Sequence, residues 1–168
     1  MKEKNIKLYN ILFPVWLLIW LPSWLWLLLI PLNYLIDVLV LRWGLKARPD
    51  RDALCRRLGW RVCLAGFLSD FIGSALLFIC IVLDDVSPSF ARTQNAIGMD
   101  PFRDPLAVLI TAGAVAISAA CIYLFDRRIL ARAGVSASEA APAALKLAVI
   151  TAPYLFLLPT RLLYMRGF

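Results

Sequence analysis

The chain has 168 residues, of which 62% are hydrophobic and 17% charged, with a formal net charge of +7 and a mean hydropathy of +0.78. A soluble domain is about 45–50% apolar and about 25% charged, and a core this small cannot hide the surplus. These figures exclude an ordinary soluble enzyme, a disordered chain and a disulfide-scaffolded peptide. They point to an all-α polytopic integral membrane bundle of four to five transmembrane segments, a single membrane domain over 1–168.

Residues 1–7 carry Lys2, Lys4 and Lys7, and residues 8–41 then hold one charge, Asp37. This stretch is long for one crossing and short for two, since a span takes about 20 residues. Pro14, Pro22 and Pro31 interrupt it. A proline-interrupted hairpin over 8–21 and 24–42 puts both basic flanks on one side, as the positive-inside rule asks; a single kinked helix is the alternative. A cleavable signal peptide is not expected, because the apolar run is too long and bulky and no small-residue cleavage site follows.

Residues 42–61 are rich in arginine. An interfacial helix beginning at Pro49 is one expectation, with Leu54 and Leu58 facing lipid and Arg48, Arg51, Arg56 and Arg57 meeting anionic headgroups; a solvated loop that only sets topology is the other. The next span is 62–83, and its Asp70 is the most informative residue of the chain. Nine residues beyond Arg61, it lies about 13 Å along a helix, near the bilayer centre, where a charge costs about 2.5–3.5 kcal/mol on insertion scales. Gly66, Asp70 and Ser74 share a helical face, and Ala65, Ser69 and Gly73 form the small-residue stripe beside it, so another helix can approach closely. One turn before Asp37, Asn33 extends a polar strip. If Asp37 and Asp70 point into one cavity they form a candidate site; the alternatives are Asp37 paired with Arg42, and Asp70 as a hydrogen-bonded lock between helices.

Residues 84–104 form the longest outer connection, with Asp84, Asp85, Asp100 and Asp104. Asp104-Pro105 is a cap followed by a proline at the first helical position, a good start for a span over 105–125. Within that span Ala112, Ala116 and Ala120 recur every four residues beside Gly113, a helix-packing pattern toward another helix of the chain or another protein. Residues 132–144 read as flexible. The last span, 143–164, contains Pro153 and Pro159, and Arg161 near its end is a candidate for snorkelling or for anion contact.

The sequence contains no histidine, and Cys55, Cys63, Cys80 and Cys121 form no CxxC pair. No metal and no cofactor is expected, nor nucleic acid as a partner. The two intramembrane aspartates lack the GxGD signature of aspartyl intramembrane proteases. The expected function is therefore a transporter or membrane subunit of a transport system. Asp70, Asp37, Asn33, Ser69, Ser74 and Arg161 are its candidate binding residues, and Gly66, Gly73, Ala112, Gly113, Ala116 and Ala120 its packing residues. A non-catalytic assembly protein, with a membrane partner or a second copy, comes next, and a membrane-embedded enzyme third. The charge pattern suits a bacterial inner membrane, with the N-terminus cytoplasmic and the C-terminus outside.

Overall fold

The computed structural model describes residues 26–82 and 88–160. Five helices follow in order: α1 Trp26–Gly44, α2 Arg51–Val82, α3 Pro88–Met99, α4 Pro105–Arg132 and α5 Ala137–Ile150, with 3-10 turns at Pro101–Arg103 and Tyr154–Leu157. No strand occurs among the described residues. Four stretches, Trp26–Gly44, Arg51–Val82, Pro105–Arg132 and Ala137–Leu157, are long and apolar enough to cross a membrane. Large apolar side chains such as Leu27 (82% exposed) and Leu109 (69%) point away from the bundle. Hydrocarbon, not water, is the solvent that such a surface matches. The expected first segment, 8–21, lies outside the described residues, and the hairpin with it.

α4 packs against both α2 and α5, and α1 against both α2 and α5. The C-terminal ends of α1 and α4 and the N-terminal ends of α2 and α5 gather at one basic end. There Leu41, Leu45, Leu58, Leu130 and Leu147 fill a continuous apolar core. Gly44 lies close against Ala143, where an added Cβ would sit 3.0 Å from the Ala143 Cβ. Arg48 Nε meets Asp50 Oδ1 at 2.8 Å and its Nη1 meets Glu139 Oε2 at 2.9 Å, tying the α1–α2 connection to α5. That contact holds the Asp50 carboxyl below the usual carboxylate range.

Several expected boundaries change. α2 starts at Arg51, so the basic segment is not a separate interfacial helix but the first turns of the span itself. At 32 residues it is about 48 Å long, well beyond a hydrocarbon core of about 30 Å. Leu54 and Leu58 do not face lipid; they are 7% and 1% exposed, inside the basic-end core. Asp52 lies 3.1 Å from Arg42 Nε, which leaves Asp37 without the Arg42 pairing.

α4 runs two turns past residue 125, to Arg132. Gly134 ends it with a φ of +85°, a left-handed conformation that glycine adopts without a Cβ clash. Val135 N–H donates to the Leu130 carbonyl and Gly134 N–H to the Ala131 carbonyl, both at 3.1 Å. This pairing closes the helix, and Val135 packs with Leu130 in the same core. The stretch after it is helical from Ala137 on, not flexible.

At the other end the expected outer loop holds α3, whose Pro88 stands at a first helical position that needs no amide donor. α3 joins its neighbours through side chains. Gln94 Nε2 donates to the Cys80 and Ile81 carbonyls in the last turn of α2. Thr93 Oγ1 donates to Asp104 at 2.9 Å, and the same carboxylate caps α4 by accepting from Leu106 N–H at 2.8 Å and Ala107 N–H at 3.4 Å. The Thr93 hydroxyl, then the two amides, hold the Asp104 carboxyl below its ordinary range.

Candidate functional site

The last span is not one helix. With 14 residues, α5 covers only about 21 Å, and Pro153 stops it. Pro153 lacks the amide that would reach the Val149 carbonyl four residues back. The Tyr154 phenol supplies the missing donor at 2.6 Å. Tyr154 N–H, which a continuous helix would direct to Ile150, turns instead to the Ala152 carbonyl at 2.7 Å. The 3-10 turn Tyr154–Leu157 carries the chain on toward Pro159, and Phe156 is buried. Pro31, by contrast, sits inside α1 without ending it.

This broken segment forms one wall of a cavity of about 690 Å³, whose opposite wall is built by α1 and α2. Asn33 and Asp37 from α1 and Asp70 from α2 line it, one turn apart on α1 and across the α1–α2 crossing. Asp37 is 6% exposed and bonds the Cys63 thiol. Gly66 faces its carboxylate: a Cβ there would sit 3.7 Å from Asp37 Oδ2. One carboxylate oxygen of Asp70, Oδ1, is buried without a hydrogen-bond partner among the described residues. The rest of the lining is mostly apolar, and Trp26, also in the wall, stacks on Phe67 with ring centroids 6.1 Å apart. No lysine or arginine is among the described lining residues.

The other expected residues fall elsewhere. Ser69 and Ser74 are fully buried and outside the cavity lining. Ser69 Oγ donates to the Ala65 carbonyl at 2.8 Å and Ser74 Oγ to the Phe71 carbonyl at 3.1 Å. α4 meets this stripe directly, with Ser118 Oγ donating to the Ser69 carbonyl at 3.0 Å. Gly73 marks the tightest point. An added Cβ would collide with Ser118 Oγ and stand 3.0 Å from the Ala114 carbonyl oxygen. Arg161 lies outside the described residues.

Among the described residues, Ala112, Ala116 and Ala120 meet no other helix of the bundle. All three are exposed, and nothing lies within 4 Å of where a Gly113 Cβ would stand. The face of α4 that packs inward is Ala107, Thr111, Ala114, Ser118 and Ile122. The four-residue spacing identifies a smooth face, and here that face looks outward.

One buried acid is not among the candidates expected from the sequence and lies just beyond the expected span 105–125. Asp126 lies in the two added turns of α4, 1% exposed, and neither carboxylate oxygen has a hydrogen-bond partner among the described residues. It continues the inward line Ser118, Ile122, Asp126, Leu130, a four-residue spacing visible once the helix is known to run through Arg132. Asp37 is within electrostatic reach of both Asp70 and Asp126 and repels each. Carboxylates gathered in a low-dielectric interior need protons, a cation or a cationic ligand for charge balance. Among the described residues no group of three Cys, Asp or Glu side chains is arranged to hold a metal ion. Asp100 and Asp104 at the other end act as helix caps. No family model, curated protein or solved structure matches the chain.

Proposed function

We propose that this protein is a small transport protein, or the membrane subunit of a transport system, that binds a positively charged substrate or coupling cation at Asp70, Asp37 and Asn33. One observation carries the reading: two carboxylates and an amide share a cavity that offers no cationic side chain among its described lining residues and is walled by a broken helix. Ionisable groups within spans are costly to insert and mark ion or substrate pathways. Irregular backbone at membrane depth is tolerated where it lines such a cavity. Aromatic rings beside the acids, Trp26 and Phe67, suit an organic cation with an apolar body. Positive-inside charge then sets the basic end in the cytoplasm.

The test is binding and uptake of a lipophilic quaternary ammonium probe in proteoliposomes, with Asp70→Asn and Asp70→Leu. The expected result is that Asp70→Asn folds as wild type and loses at least about tenfold in affinity, a 1.4 kcal/mol effect. Unchanged binding by a folded Asp70→Asn protein would overturn the reading.

The outward face of Ala112, Ala116 and Ala120 favours a second reading, a non-catalytic assembly protein that docks a partner helix on α4. Ala116→Cys in a background without the native cysteines tests it. Disulfide-linked dimers, or crosslinks to a co-purifying membrane protein, support docking; labelling by a lipid-soluble maleimide with no crosslink removes it.

A further inference from the structure

The arginines of the basic end differ in their partners. Three around the α1–α2 connection are engaged by acids: Arg42 and Arg51 by Asp52, and Arg48 by Asp50 and Glu139. Arg61 of α2 and Arg128 and Arg132 of α4 have no carboxylate partner among the described residues. These three converge on a groove of about 480 Å³ between the two helices. Below them the groove continues along Leu64, Leu68 and Phe125. Leu64 and Leu68 are 59% and 52% exposed. Trp60 lies at the basic level of the groove, with the Arg61 guanidinium 5.5 Å from its ring centroid.

A patch of positive charge over an apolar trough, on the outer surface of a spanning pair, matches an amphiphile and not a soluble anion. Guanidinium forks recognise phosphate oxygens in bidentate fashion, and an indole prefers the headgroup level. A soluble phosphate leaves the trough empty, and a zwitterionic lipid brings its own cation to the arginines. We infer that this groove is a binding site for one anionic phospholipid, its phosphate held by Arg61, Arg128 and Arg132 and an acyl chain lying along Leu64, Leu68 and Phe125. This lipid bridges α2 and α4 at the end where the buried Asp126 faces the bundle, and the site does not depend on the substrate cavity.

Native mass spectrometry of the full chain, released from micelles holding equal phosphatidylglycerol and phosphatidylcholine of matched chains, tests the assignment. Wild type is expected to retain a single phosphatidylglycerol in about tenfold preference. The triple variant Arg61→Gln, Arg128→Gln, Arg132→Gln is expected to retain both lipids within about twofold. Removing equal charge elsewhere, through Lys46→Gln, Arg92→Gln and Arg127→Gln, is expected to leave the preference intact. If the triple variant does not fold, each single substitution is expected to lower the preference about twofold to threefold. Three results would overturn the site: no preference in wild type, an equal loss in the charge-matched control, or displacement of the lipid by millimolar glycerol phosphate.

Discussion

The two ends of the bundle solve the same packing problem with different materials. At the basic end, leucines and valines from four helices interlock, and Arg48 ties the α1–α2 connection to the start of α5. At the opposite end Leu77, Ile97, Val115 and Phe156 form a second core, but the α2–α4 crossing beside it is made by small and hydroxylated residues, namely Gly73, Ala114 and Ser118. There α5 gives way to a turn and a cavity opens beside it. A leucine core resists the loss of any one contact because the others persist. A glycine–serine crossing depends on backbone proximity, and a single methyl group can disturb it. The bulkier core thus lies at the basic end, and the cavity opens beside the more closely approached crossing.

The sharpest way to break this contrast is Gly73→Leu. Its side chain has nowhere to go between Ser118 and the Ala114 backbone, so α2 and α4 must part and folded yield is expected to collapse. Gly73→Ala, where the Ser118 hydroxyl can rotate aside, is expected to cost about 1–3 kcal/mol by thermal unfolding in detergent. At the basic end, Leu58→Ala removes a fully packed side chain and is expected to cost about 2–5 kcal/mol, yet without loss of the fold.

Asp126 gives the opposite sign. A buried carboxyl with no partner for either oxygen destabilises its site. Asp126→Val is therefore expected to raise stability by about 1–3 kcal/mol, read as a higher midpoint in the same assay. A drop in stability would mean that the group has a partner in the folded protein.

The smallest effect belongs to the α4 cap. Because the folded Asp104 carboxyl lies below its unfolded range, its contribution is complete above about pH 4 and disappears as pH falls through the lower folded value. Asp104→Asn should flatten that acid limb of the melting profile. Hydrogen exchange at Leu106 and Ala107 is expected to rise only in the acid range for wild type, and at every pH for Asp104→Ala, which lacks an acceptor.

Much of this was legible in the residues because hydrocarbon imposes a simple code. Length and apolarity gave the α2 and α4 spans, Asp104-Pro105 the start of α4, and the Ala65, Ser69, Gly73 spacing the stripe that α4 meets. Helical period put Asn33 and Asp37 on one face and left their meeting with Asp70 conditional; the structure puts all three along one cavity. What was missed depended on where helices stop. Arginine counts marked a boundary of the hydrocarbon at residues 61 and 125, but both helices continue beyond it. Asp126 therefore fell outside the expected span 105–125, and Leu54 and Leu58 were expected to face lipid. The Schellman closure at Gly134 was the available signal for the true end of α4. The alanine spacing was ambiguous for a different reason: it specifies smoothness, and smoothness does not say which side the neighbour stands on.

The phenol of Tyr154 has a mechanical implication. By anchoring itself to Val149 it turns the interruption at Pro153 into a fixed elbow, with the acceptor that the proline orphans already occupied. On the proposed transport reading, a guest beside Asp70 would meet that wall in its finished shape and lose little affinity to reorganising it. Access from alternate sides would then call for movement of whole helices, with the elbow carried along unchanged.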